Sequence, residues 1–269
     1  MQTILSVQGV SKTYARAKKG YPLLKDLNFG IEKGKITAIV GGNGSGKTTL
    51  FNLISGLQKP DSGEIAFWKS DKKISLIEKS PFEISRLGIG RSFQDTHIFP
   101  NLTIEENMLI ADENRIGENV FQALVYSNKW RKREEERKSK CLEIFKDLFS
   151  VNNSLENRFI NRRHELAGTL SFGQQRLLGL ARLFMQDYTL LLLDEPTAGV
   201  NPILIDQIAF IIKTLKSKGK TILLIEHNMR FMKRLSDHCI FLKNGFAGME
   251  GTPEMILNNA NVRKSYLGI

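Results

Sequence analysis

The residues whose types and spacing can do chemistry begin at Gly41-Gly42-Asn43-Gly44-Ser45-Gly46-Lys47-Thr48, which match the pattern G-x-x-x-x-G-K-[ST] at every fixed position. They follow the apolar run Ile36-Thr37-Ala38-Ile39-Val40, so the order is strand, glycine loop, helix start. Small residues there let backbone N–H groups turn inward around a polyphosphate, where a Cβ would block the approach. Gly41, Asn43, Gly44, Ser45 and Gly46 are the expected cradle. Lys47 brings a point charge to the β- and γ-phosphates, and the Thr48 hydroxyl offers Mg²⁺ a hard oxygen ligand. Thr49 opens a helix whose N-terminal partial charge favours the same anion. A second pattern is Leu190-Leu191-Leu192-Leu193-Asp194-Glu195-Pro196-Thr197. Its leucines deliver Asp194 to the end of a buried strand, beside the phosphate loop in a doubly wound sheet. Asp194 is expected to hold Mg²⁺, directly or through water. Glu195 is the expected general base for a water attacking the γ-phosphate.

Such a site needs alternating strands and helices. Alternation over 4–10 reads as a strand, residues 15–21 as a basic loop and 24–31 as a second strand. The buried strand 36–40 enters the phosphate loop, a helix covers 50–57, and Lys59-Pro60-Asp61-Ser62-Gly63 breaks it before a strand at 64–68. From about Ile84 to Arg163 the periodicity is helical, with Thr103 as N-cap and Glu106 completing a capping box. The α/β texture returns with strands at 190–193, 221–225 and 240–242, and helices at 202–217, 228–235 and after Thr252-Pro253. The expected fold is α/β: a P-loop NTPase core with a largely parallel sheet, an N-terminal antiparallel β part and an inserted helical lobe. The core is assigned to 1–85 and 186–269 and the lobe to 86–185.

No apolar run approaches the ~18 residues that span a bilayer, and the first residues lack a signal-peptide layout. Cys141 and Cys239 lie far apart and read as two reduced buried thiols. The formal net charge of +11 admits nucleic acid, an anionic membrane surface or plain solubility. The dense run Lys129–Lys140 has helical i,i+4 pairing, as a solvated helix face would.

Leu170-Ser171-Phe172-Gly173-Gln174-Gln175-Arg176 alone is an ordinary helix start with Ser171 as N-cap. Together with the two patterns above, Tyr14, Gln94 in Ser92-Phe93-Gln94 and His227 in Ile225-Glu226-His227-Asn228, it resembles the ATP-binding cassette (ABC) ATPases. The resemblance covers nearly the whole chain. It implies ATP with Mg²⁺, Tyr14 stacked on adenine, Gln94 reaching the metal or the attacking water, and His227 sensing the γ-phosphate. It also implies a dimer, in which Ser171, Gly173 and Gln174 of one subunit close over ATP held by the other.

Two residues depart from the family pattern: Phe172 stands for the usual first glycine of the signature, and Asn201 for a common Asp. Both are similar to the ATP-binding subunits of branched-chain amino-acid uptake systems, as are Gly90-Arg91-Ser92-Phe93-Gln94-Asp95, Phe99–Thr103 and the tail after Gly251. The implied partners are a second cassette, identical or paralogous, integral membrane permease subunits and, indirectly, a solute-binding protein. The implied location is peripheral, on the cytoplasmic side of the membrane. Urea uptake and lipid or lipopolysaccharide export stay open as alternatives. A soluble cassette acting on nucleic acid would carry a long coiled-coil insertion or a second cassette, so nucleic acid is not an expected partner. Apolar Ile98, Phe99, Leu102 and Ile104 fit either a permease-docking surface or lobe core.

Overall fold

Apolar residues recurring along Thr3–Arg16 (β1) and Lys19–Glu32 (β2) zip these segments into a long antiparallel hairpin. In this computed structural model, residues 2–16, 19–92, 98–112, 127–150, 152–260 and 262 are described. The hairpin corrects the expected basic loop at 15–21, because the ladder continues to Arg16 opposite Lys19. Backbone pairing satisfies the N–H and C=O groups there whatever the side-chain polarity. With Ser62–Lys69 (β4) and Lys72–Ser75 (β5) the hairpin forms a four-stranded sheet, ordered β2-β1-β4-β5.

The second sheet has six strands. Ile36–Val40 (β3), Ile89–Ser92 (β6), Leu190–Asp194 (β7), Thr221–Ile225 (β8), His238–Lys243 (β9) and Phe246–Gly251 (β10) are ordered β10-β9-β3-β8-β7-β6. All neighbours pair in parallel except β9 with β10. Strand β6 falls where helical periodicity was expected. Its four residues carry little pattern of their own, and pairing of Ile89–Ser92 with Leu190–Leu193 makes them a strand.

Helices are Lys47–Ile54 (α1), Pro81–Leu87 (α2), Ile104–Leu109 (α3), Ser127–Phe149 (α4), Asn153–Glu156 (α5), Phe172–Ala181 (α6), Pro202–Ser217 (α7), Met229–Leu235 (α8) and Pro253–Asn258 (α9). The capping box expected at Thr103 and Glu106 forms at the start of α3.

The chain divides into two compact units. The first holds residues 1–94, 188–198 and 212–269; the second holds 95–187 and 199–211. In the first unit, Leu50, Phe51, Leu53 and Ile54 of α1 share one core with Leu5, Val7 and Phe67 of the antiparallel sheet and Ile39, Leu192 and Leu223 of the parallel one. The opposite face of β3, through Ala38 and Val40, packs with Met232 and Ile256 of α8 and α9. In the second unit, Phe149 and Phe159 stack at 4.2 Å between ring centres, with Phe145 6.0 Å from Phe149. Both cysteines are buried and free. No described helix is long and apolar enough to cross a membrane.

Candidate functional site

In the first unit β3 is buried at every position, so its hydrogen bonds and packing fix where the chain emerges into the loop. Glycine is required at 41, since a Cβ there would lie 2.3 Å from the Leu242 carbonyl oxygen on β9. Lys47 is 6% exposed and turns back over the loop, donating from Nζ to Gly41 O at 2.7 Å and Gly42 O at 3.0 Å. Burial lowers its pKa, while the carboxylates of Glu195 and Asp194 oppose that shift. Ser45 Oγ is buried with no hydrogen-bond partner among the described residues. A cavity of about 510 Å³ opens beside Gly42–Ser45, lined also by Tyr21, Lys25 and Lys243. Thr48 is exposed and Thr49 buried. Tyr14, half-buried, donates its hydroxyl to Gln58 Oε1, and the Tyr14 hydroxyl oxygen lies 3.4 Å from Thr49 Oγ1. Its phenol therefore stands at the phosphate-loop helix.

Asp194 ends β7 and is 3% exposed. Burial pushes its carboxyl up from the ordinary carboxylate range, and the Arg91 guanidinium, 3.1 Å from Oδ2, holds it back. Glu195 follows with φ 46°, a left-handed conformation that costs a residue with a Cβ about 1–3 kcal/mol. Its N–H donates to Ile225 O at 2.9 Å and its carbonyl accepts from Ala198 N at 3.1 Å. Glu195 Oε1 lies 2.8 Å from His227 Nε2. A carboxylate only accepts, so Nε2 carries the proton in that pair. Glu226, buried, accepts from Thr197 N at 2.9 Å, His227 N at 2.8 Å and Asn228 N at 2.9 Å, and from the Thr197 hydroxyl.

Arg91 and Glu226 carry no role in the sequence reading. A charged residue inside a short strand and an acid at the end of a buried one were the available signals. Gln94 lies outside the described residues. The site thus joins Tyr14, the phosphate loop, Asp194, Glu195 and His227 within one unit.

Ser171, Gly173 and Gln174 belong to the second unit. Ser171 Oγ accepts from Gln174 N at 3.4 Å and Gln174 Oε1 accepts from Ser171 N at 3.0 Å, a reciprocal cap on α6. Phe172 is 49% exposed. Its ring lies over Gly199, where a Cβ would come 3.3 Å from Phe172 Cε1 and φ is 68°. Ile104 is fully buried, whereas Phe99 is 47% exposed with the Arg182 guanidinium 5.6 Å from its ring centre. The apolar quartet is thus split between core and surface.

Among the described residues no three His, Cys, Asp or Glu side chains gather to hold a metal by themselves. Thr48 and Asp194 supply one hydroxyl and one carboxylate. Mg²⁺ is usually held by one or two protein oxygens plus phosphate oxygens and water, so this sparse donor set fits a metal that comes with a nucleotide.

A family profile described as ABC transporter matches residues 24–198. The chain is 39% identical over 265 residues to the probable branched-chain amino acid transport ATP-binding protein LivG of Archaeoglobus fulgidus, covering 98% of this chain and 95% of that one. It is 34% identical to the high-affinity branched-chain amino acid transport ATP-binding protein BraF of Pseudomonas aeruginosa, covering 98% of each. Among solved structures, it matches the ADP conformation of an ATP-binding cassette of an ABC transporter with a TM-score of 0.79 at 32% identity, covering 100% of both chains. A dimeric cassette bound to ADP and Pi, in a post-hydrolysis state, matches with a TM-score of 0.70 at 25% identity, covering 93% of this chain and 99% of that one. On sequence, on fold and on the presence of the phosphate loop and its acidic strand end, the chain belongs to the ATP-binding cassette ATPases of the ABC transporter family.

Proposed function

We propose that this chain is the ATP-hydrolysing subunit of an importer for branched-chain or related amino acids, peripheral to the cytoplasmic face of a membrane. A separate permease would carry the substrate path and a solute-binding protein would feed it. The observation that carries the catalytic part is the Glu195–His227 contact at the ends of neighbouring strands, beside the lysine loop. Support for the transport part is the full-length similarity to LivG and BraF.

Each residue has a physical task in this reading. Loop N–H groups and Lys47 grip the β- and γ-phosphates, Lys47 exchanging two carbonyl acceptors for phosphate oxygens. Thr48 and Asp194, with Gln94, would hold Mg²⁺, which when bound offsets phosphate charge. Tyr14 offers an aromatic face to adenine. Glu195 orients the attacking water and takes its proton, while His227 keeps that carboxylate aimed. Ser171, Gly173 and Gln174 of a second cassette, at a helix N-terminus, complete the anion site on closure. Hydrolysis removes the γ-phosphate between the subunits and lets them part. The helical lobe, with residues 95–110 as its docking face, would pass that motion to the permease.

The test is reconstitution of the chain with its permease and solute-binding protein in liposomes. ATP-dependent uptake of leucine, isoleucine or valine is expected. Uptake of urea alone, or ATPase stimulated only by DNA or RNA, would overturn the transport assignment.

A further inference from the structure

Arg91 is the least expected charge in the first unit. It sits on β6 with its side chain 7% exposed, in the same buried layer as Asp194 at 4%. Its guanidinium donates in two directions. One nitrogen reaches Asp194 Oδ2 at 3.1 Å. Another reaches Asn52 Oδ1 at 2.8 Å and Ser55 Oγ at 3.0 Å on α1, the helix that starts at Lys47. Its plane also lies 5.6 Å from the ring centre of Phe51 on that helix. A guanidinium stays charged at any physiological pH. The residue assigned to the metal is therefore paired with a fixed cation that three other side chains also hold.

A buried carboxylate needs a counter-charge. Any cation that approaches Asp194 meets Arg91 across the same carboxylate, and like charges at that range in a poorly screened interior weaken binding by well over tenfold. The phosphate groups of a bound nucleotide would reverse this balance, because they bring both negative charge and the oxygen ligands that the donor set lacks.

We propose that Arg91 is the resident counter-ion of Asp194 and makes divalent-cation binding conditional on nucleotide. It is a positioning residue that acts through Asp194. The inference rests on the reading of Asp194 as the carboxylate that serves the nucleotide's Mg²⁺.

The experiment measures binding of Mn²⁺, as a spectroscopic stand-in for Mg²⁺, to the full chain by electron paramagnetic resonance, with and without ADP. Wild-type protein is expected to bind Mn²⁺ only when ADP is present. R91Q is expected to bind Mn²⁺ without nucleotide at least tenfold more tightly than wild type, and D194N added to R91Q should abolish that gain. A variant that merely loosens the fold would lose binding, not acquire it. Affinity of R91Q equal to or weaker than wild type in the absence of nucleotide overturns the proposal. Should R91Q not fold, R91M carries the test, since its long apolar side chain fills the space beside Phe51 without a charge. With that neutral side chain a nucleotide-free gain of at least tenfold supports the proposal, and no gain overturns it. Failure of the wild type to bind Mn²⁺ with ADP would instead overturn the assignment of Asp194 beneath it.

Discussion

His227 Nε2 meets Glu195 Oε1 at 2.8 Å because strands β7 and β8 pair with Asp194 opposite Ile225. The residues that follow each strand then come out side by side. A slip of one residue in that ladder would move the chain that leaves one strand relative to the other and separate the two side chains. The Glu195–His227 contact is thus set by strand register. Glu195→Gln keeps an acceptor for His227 but cannot take a proton. ATP turnover is expected to fall by about 10²–10⁴, with ATP affinity within threefold of wild type. Phosphate-release kinetics and size exclusion with ATP check this, and an ATP-bound dimer should accumulate.

Glu226 gathers three backbone N–H groups and the Thr197 hydroxyl in a buried position. Glu226→Ala leaves those donors unpaired. A loss of about 2–4 kcal/mol in stability is expected, read from the urea midpoint. Turnover should fall as well, because the His227 N–H loses its anchor. Turnover at the wild-type rate would show that His227 is placed by other contacts.

Lys47 spans from the helix start to two loop carbonyls. Lys47→Met is expected to weaken ADP binding by about tenfold to a hundredfold, the worth of one charge-assisted phosphate contact. Fluorescent-nucleotide titration gives the value.

Burial pushes the thiols of Cys141 and Cys239 up to about 12. At pH 8 roughly one in ten thousand would be thiolate. Neither should react with a disulfide reagent until denaturant is added, when both should. The native state holds these protons more tightly than the unfolded chain does. Their contribution to stability is full below the unfolded value of about 8.5 and is lost as pH rises towards 12. Urea midpoints should therefore decline through that alkaline window. Replacing both cysteines by alanine should flatten the decline.

The phosphate loop and the acidic strand end were legible because each is local: a few adjacent residues carry the whole pattern. The same holds for the caps at Thr103 and Ser171, where donor and acceptor sit three residues apart. Arg91 was not legible as part of the site, since its partner Asp194 lies 103 positions away and only β6–β7 pairing brings the two together. Glu226 was hidden for a related reason: the Thr197 groups it accepts from are 29 positions distant. The strand ends at 15–16 and 19–21 were read as loop because polar composition signals a loop only when no neighbouring strand supplies partners.

The fit of Phe172 over Gly199 ties the evolutionary fates of two positions. Any side chain introduced at 199 must both adopt a left-handed backbone and press on the half-exposed ring, so a smaller residue at 172 would ease its entry. Substitutions here are therefore epistatic, and drift at this corner has a preferred order.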